Sequence, residues 1–174
     1  MHGKWQSQAI SFVSASVALA TVLAAQSAPT ANRGQTLDAC ALATNAEVVQ
    51  VAEEKPELAG LWQDPEPVLG GKRCEYSGGS IEVYDGATAA ADLERSLKTF
   101  QVDKEPRTPV SGIGSRAFFM IPYPGDDNRN LGLLAVYAGQ RVLALTLDAH
   151  NREPVTATRP RLERLAKLVL ARLE

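Results

Sequence analysis

Residues 131–147 read LGLLAVYAGQRVLALTL, and this stretch decides the fold. Two apolar runs, residues 131–137 and 141–147, flank Ala138-Gly139-Gln140, and this arrangement predicts a β-hairpin. Both runs are apolar and rich in residues that favour strands. We therefore expect this hairpin at the centre of a sheet.

Three further strands are predicted on the amino-terminal side of the hairpin. Residues 73–76 and 81–84 are short alternating runs separated by Ser77-Gly78-Gly79-Ser80, which predicts a second hairpin. Residues 117–121 are strand-like because they combine aromatic and aliphatic side chains after a glycine-containing turn. The sequence thus predicts a mostly antiparallel, five-stranded sheet.

Three helices are predicted around that sheet. Thr44 and Glu47 form a capping-box pattern before residues 46–54. Residues 88–100 and the segment from about residue 160 to the end carry apolar side chains on one helical face. The predicted order is α-β-β-α-β-β-β-α, an α+β fold in which the two long helices cover one buried face of the sheet.

Two loops are candidates for a binding role. Residues 55–71 contain three prolines and a Gly-Gly pair, with Trp62 in the middle, and residues 122–130 form a turn-rich loop that begins near Tyr123. Long loops in a compact domain are often functional, so we predict that Trp62 and Tyr123 contact a ligand or a partner. The alternative is that Trp62 folds back over the core.

The amino-terminal residues are typical of a segment that directs export. Lys4 precedes residues 9–25, a run of 17 residues without a charged side chain, and small residues follow. An uncleaved anchor is the alternative, but the run has the minimum spanning length and is rich in Ala rather than Leu. We predict a signal peptide over residues 1–28, a flexible arm over residues 29–36 and a single domain over residues 37–174.

The predicted location determines the expected state of the two cysteines. Export delivers Cys40 and Cys74 to an oxidising compartment, so we expect them to form a disulfide. A metal or redox pair is the alternative, but there is no CxxC motif and no histidine nearby.

The formal net charge of −2 and the lack of clustered basic residues argue against nucleic-acid binding.

Three segments resemble a family of small exported bacterial domains of unknown function, many of them lipoproteins. The segments are DACALAT at residues 38–44, CEY at residues 74–76 and VSGIGSRAF at residues 110–118. The family pattern is Cys-x-Leu-Leu-Thr, then Cys-x-Tyr, then Gly-Leu-Gly-Asp-x-Ala, and this chain has Ala43 and Ser115 at two of those positions. The resemblance implies the disulfide and a curved antiparallel sheet flanked by helices, similar to lumenal photosystem-associated proteins and mycobacterial sensor or lipoprotein domains. It implies a binding, sensing or accessory role and no catalytic residue.

Two motifs suggest cofactor or metal binding, and their surroundings argue against it. Residues 112–117 match the GxGxxA pattern of dinucleotide-binding proteins, but residues 109–111 are a poor strand and residues 118–120 a poor helix start. We therefore predict a glycine turn that leads into a strand. Asp126, Asn128 and Asn130 alternate like the first ligands of a calcium loop, but Tyr137 stands where that loop has Glu. We expect no cofactor and no metal.

Charged residues elsewhere have ordinary structural interpretations. His150 lies near Asp148, but no nucleophile is identified that could act with it, so we expect an exposed histidine in the connection between a strand and the last helix. We expect helix-terminal or solvated positions for two groups. These are the acids Asp38, Glu47, Glu53 and Glu54, and the basic residues Arg159, Arg161, Arg164, Lys167 and Arg172 of the last helix.

The sequence therefore predicts a soluble, non-enzymatic binding or accessory module that is periplasmic or secreted in a Gram-negative-type bacterium. We expect a monomer with no stable membrane insertion after signal cleavage, and an unknown small ligand or an envelope protein as its partner. Two alternatives stay open: a small cofactor-free hydrolase that uses His150, and a structural component of a cell-envelope complex.

Overall fold

One antiparallel sheet and three α-helices make up the part of the fold that the structure describes. The computed structural model describes residues 37–53, 63–68, 70–124, 130–150 and 153–173. The predicted signal peptide and flexible arm, residues 1–28 and 29–36, lie outside the described residues, and so does Trp62. Within the described ranges, no helix has the length and apolar character that crossing a membrane requires.

The helices and strands follow one another in the order α, three strands, α, four strands, α. The helices are α1 (Asn45–Ala52), α2 (Ala89–Thr99) and α3 (Thr158–Leu170). The strands are β1 (Gln63–Val68), β2 (Gly71–Tyr76), β3 (Gly79–Asp85), β4 (Thr108–Val110), β5 (Arg116–Met120), β6 (Leu131–Ala138) and β7 (Arg141–Asp148).

The sheet order is β1-β2-β3-β7-β6-β5-β4, and every neighbouring pair is antiparallel. The predicted α+β class is confirmed, and the β6–β7 hairpin lies at the centre of the sheet as predicted. The predicted count of five strands is wrong, because β1 and β4 add to it. Both extra strands contain proline, which suggests a loop from sequence. Proline is compatible with a strand at the edge of a sheet, where its missing N–H leaves no ladder bond unmade, and β1 and β4 are the two edges.

Helices cover both faces of the sheet, so the predicted single buried face is wrong. On the first face, Ile81 and Leu145 pack in one core with residues of α1 and α3. On the second face, Tyr84 and Ala144 pack in another core with α2. The reason lies in the central strands, whose side chains are apolar on both sides and would otherwise be left in water.

The start of the domain is fixed as the sequence predicts. Thr44 Oγ1 accepts a hydrogen bond from the Glu47 amide, and the Glu47 carboxylate accepts one from the Thr44 amide, which completes the capping box of α1. The Cys40–Cys74 disulfide is present, with the Cα atoms 5.0 Å apart. It joins a single 3-10 turn before α1 to strand β2.

The basic side of α3 is not simply a solvated face, because Arg161 is buried with 3% of its surface exposed. Its Nη1 donates to the carbonyl oxygen of Ala52 at 3.1 Å, and its Nη2 donates to Glu153 Oε2 at 2.8 Å. The prediction is wrong at this position because the end of α1 packs beside α3 and covers the guanidinium. Arg164, in contrast, is half-exposed and pairs with Glu53.

Candidate functional site

A cavity of about 140 Å³ lies between α2 and the second face of the sheet. Leu93, Ser96 and Leu97 of α2 line one side of it. Ala144 and Thr146 of β7 lie on the sheet side, with further aliphatic side chains from β6. The cavity is therefore mostly apolar and is built from regular elements, which hold its shape.

Polar side chains form the floor of the cavity. Glu82 is buried, with 8% of its surface exposed, and its Oε2 accepts a 2.6 Å hydrogen bond from the hydroxyl of Tyr84. Its Oε1 lies 3.5 Å from Arg73 Nη1, and the Arg73 Nε forms a second ion pair with Glu75. Burial, reinforced by the charge of Glu82, raises the pKa of Tyr84 well above its ordinary value, so the phenol stays protonated and donates.

Strand periodicity brings these groups together. Side chains alternate along β3, so Ser80, Glu82 and Tyr84 point to the second face while the residues between them enter the first core. Ser80 is paired in register with Thr146 of β7, and their hydroxyl oxygens are 2.8 Å apart. The same register places Arg73 of β2 opposite Glu82. The polar floor thus spans three adjacent strands.

The rim of the cavity carries aromatic side chains. Phe100, at the carboxyl end of α2, is 51% exposed, which is unusual for a large apolar residue in this fold. Tyr123 and Pro122 lie on the rim as well, in the segment after β5. The structure thus places Tyr123 at a cavity, and its contact with a ligand stays a prediction. Trp62 is not among the described residues, so its predicted contact is neither confirmed nor contradicted.

Arg73 and Glu82, which line the cavity, and Tyr84, which is hydrogen-bonded to Glu82, did not emerge from the sequence as site candidates. Their signal is present, however, since residues 81–84 read IEVY, with an acid between apolar residues of a strand in the middle of the sheet. An acid on a strand that both cores cover needs a buried partner. The need for such a partner can be recognised only when the second face of the sheet is known to be covered.

His150 lies away from this cavity, in the connection between β7 and α3, and it is partly buried, so the expected exposed position is wrong. Its ring Nε2 is 3.0 Å from the carbonyl oxygen of Ala52, and its amide donates to Glu153 Oε2 at 3.0 Å. Burial raises the pKa of Glu153, but the hydrogen bonds from His150 and Arg161 lower it by a larger amount. The pKa of Glu153 is therefore below its ordinary value. These contacts tie the end of α1 to the start of α3.

Other residues singled out in the sequence have structural positions. Residues 112–115 form the predicted turn, which leads directly into β5, with Gly112 and Gly114 at positive φ. A side chain on Gly114 would also collide with the carbonyl of Tyr137, so glycine is required there.

The structure describes some of the acidic residues and candidate metal ligands and leaves others outside the described ranges. Asp38 accepts a hydrogen bond from the Cys40 amide, and Glu53 follows the last residue of α1. Asp126 and Asn128 of the calcium-like loop, and Glu54, lie outside the described residues. Where the structure describes the chain, no cluster of three or more His, Cys, Asp or Glu could hold a metal ion.

A second cavity of about 460 Å³ opens beside Phe119 and Ile121, near the start of β4. Its charged lining residues, in the part of the chain that the structure describes, are Glu105 and Arg159. Neither is buried, and Arg159 pairs with Glu163 along α3. The cavity beneath α2 differs because buried hydrogen-bonding groups face it. Such convergent polar groups on an apolar wall are typical of ligand sites, so we assign the candidate site to the α2 cavity.

Comparison with known proteins adds little to this geometry. No protein-family model matches the chain, and no solved structure matches it. The chain is similar to a TNF receptor-associated factor family protein from Dictyostelium discoideum, with 29% identity over 77 residues. That match covers 41% of this chain and 17% of the relative.

Proposed function

We propose that this chain is an exported, soluble, non-enzymatic binding module that holds a small ligand in the cavity beneath α2. One observation carries the proposal: a mostly apolar cavity is lined by the partly buried Arg73 and the buried Glu82, and Glu82 accepts a hydrogen bond from the buried Tyr84. Small-molecule sites combine an apolar wall with a few fixed polar groups in this way.

The proposed location is the periplasm of a Gram-negative-type bacterium or the exterior of the cell. The Cys40–Cys74 disulfide is compatible with an oxidising compartment. The signal-peptide pattern of residues 1–28 and the resemblance to small exported bacterial domains support the same location. Intact-mass analysis of the chain expressed in such a host tests it. We expect a periplasmic species that lacks about the first 28 residues and has no free thiol, and a full-length cytosolic species with two thiols would contradict the proposal.

A fragment screen tests the binding role. Single-ring compounds are added to the exported protein labelled with ¹⁵N, and amide shifts are followed by NMR. We expect shifts to concentrate on residues around the cavity, including Ser96 and Thr146. Shifts that occur at the second cavity instead, or nowhere in the spectrum, would contradict this assignment.

A matched pair of variants makes the screen specific. Ala144→Leu fills the cavity from the sheet side, because Ala144 is buried and lines it. Ala91→Leu makes the same change on an exposed position of α2 that does not line the cavity. We expect binding to be lost in the first variant and kept in the second. If Ala144→Leu fails to fold, Leu131→Trp at the half-buried rim narrows the same cavity.

A further inference from the structure

We propose that the α2 cavity selects an uncharged ligand about the size of one ring that carries a hydroxyl group, such as a phenol or a small cyclic alcohol. This inference rests on the proposed binding function and specifies the chemistry of its ligand. Volume, charge balance and hydrogen-bonding capacity each restrict the ligand, and the three restrictions agree.

Volume limits the ligand to a single ring. The cavity measures about 140 Å³, and an apolar cavity of roughly 150 Å³ holds one benzene molecule. Leu93, Leu97 and Leu133 supply an apolar wall for the body of such a ligand. A larger ligand would have to extend past the rim at Phe100 and Tyr123.

Charge balance excludes an ionised ligand. Among the described residues that line the cavity, Arg73 and Glu82 are the two that carry a charge, and they lie next to each other. A ligand anion would lie beside Glu82, and a ligand cation would lie beside Arg73. Either ion would lose its hydration on entering the cavity, and no unpaired opposite charge would compensate for that loss. Burying a charge in this way is unfavourable. Glu75 pairs with Arg73 from outside the lining, and its charge further disfavours an anion.

Hydrogen-bonding capacity favours a hydroxyl group. The carboxylate of Glu82 can only accept, and Arg73 can only donate. Thr146 and Ser96 add hydroxyl groups, which do both, to the same lining. A ligand hydroxyl can donate a hydrogen bond to Glu82 and at the same time accept one from a neighbouring donor. A purely apolar ring would form neither of these hydrogen bonds.

A series of four ring compounds tests this selection on the exported protein. Phenol, toluene, benzoate and benzylamine share one ring and differ in the charge and hydrogen-bonding of one substituent. NMR titration gives a dissociation constant for each compound. We expect phenol to bind at least about tenfold more tightly than benzoate and benzylamine, and more tightly than toluene.

Two substitutions change the expected order. Glu82→Gln removes the negative charge, so the ratio of benzoate to phenol affinity should rise at least about fivefold. Arg73→Gln removes the positive charge, so the ratio of benzylamine to phenol affinity should rise by a similar factor. Thermal unfolding of each variant establishes that it is folded.

The outcomes separate this inference from the proposed function. If benzoate or benzylamine binds the wild-type cavity as tightly as phenol, the ligand class is wrong, while the cavity stays a binding site. If none of the four compounds shifts the cavity residues, the ligand class is also wrong, and the fragment screen alone then decides whether the cavity binds anything. Equal affinity ratios in wild type, Glu82→Gln and Arg73→Gln would likewise overturn the charge argument.

Discussion

The hydroxyl of Tyr84 donates a 2.6 Å hydrogen bond to Glu82, and both side chains are buried beneath α2. This bond fixes the carboxylate that faces the cavity. Tyr137 lies on the same face of the sheet, and its buried hydroxyl has no hydrogen-bond partner among the described residues. The two tyrosines therefore offer a matched comparison.

Removing the Tyr84 hydroxyl should destabilise the fold. Tyr84→Phe deletes a hydrogen bond to a buried charged group, and we expect the free energy of unfolding to fall by about 2 kcal/mol. Tyr137→Phe deletes a hydroxyl that makes no hydrogen bond, so its effect should be within about 0.5 kcal/mol or stabilising. Urea unfolding of both variants measures the difference. Equal destabilisation by the two substitutions would contradict the assignment of the Tyr84–Glu82 bond.

The disulfide should account for a large share of the stability. Cys40 and Cys74 are 34 residues apart, and a loop of that length implies a loss of about 3–4 kcal/mol when the bond is removed. Cys40→Ala/Cys74→Ala should therefore unfold at much lower denaturant concentration than the wild type. Adding reductant should lower the stability of the wild type and leave the double variant unchanged. A wild type that is insensitive to reductant would contradict this prediction.

The Glu47–Arg172 pair should make stability depend on acid pH. The hydrogen bond from Arg172, together with the Thr44 amide, lowers the pKa of Glu47 from 4.5 to about 2. Since the folded pKa lies below the unfolded one, the stabilisation is complete above about pH 5 and is lost as the pH falls towards 2. Glu47→Gln should flatten the plot of unfolding free energy against pH in that window. Glu163→Gln breaks an i,i+4 pair with Arg159 within a single helix, which contributes little to stability, so it should change the slope much less.

Arg161 should be more important for stability than its neighbour Arg164. Arg161→Met leaves Glu153 and the Ala52 carbonyl without their buried donor, and we expect a loss of about 2–4 kcal/mol. Arg164→Met breaks an exposed pair with Glu53 and should cost at most about 1 kcal/mol. Chemical denaturation of the two variants gives the comparison. If Arg164→Met were the more damaging substitution, the burial of Arg161 would be wrong.

Sequence reasoning predicted the parts of the fold that depend on local patterns. The capping box at Thr44, the central hairpin of β6 and β7 and the amphipathic helices α2 and α3 are all set by residues close together in the chain. The disulfide was predictable because a chain with two cysteines has a single way to pair them.

The site was not predictable, because it depends on which elements share a face of the sheet. Arg73, Glu82 and Thr146 come from three strands, and only the order β2-β3-β7 makes them neighbours. The extra edge strands were missed for a related reason, since proline argues against a strand unless the strand is known to lie at an edge. Tyr123 was named from its loop, and the cavity that it borders is formed by distant residues.

An isotope-filtered NOE experiment on the protein with phenol tests the central claim most directly. The experiment detects contacts between ring protons of the bound phenol and methyl groups of the protein. We predict NOEs to the methyls of Leu93, Leu97 and Leu133, and their loss in Ala144→Leu. NOEs to methyls outside the α2 cavity, or unchanged NOEs in that variant, would contradict the assignment of the binding site.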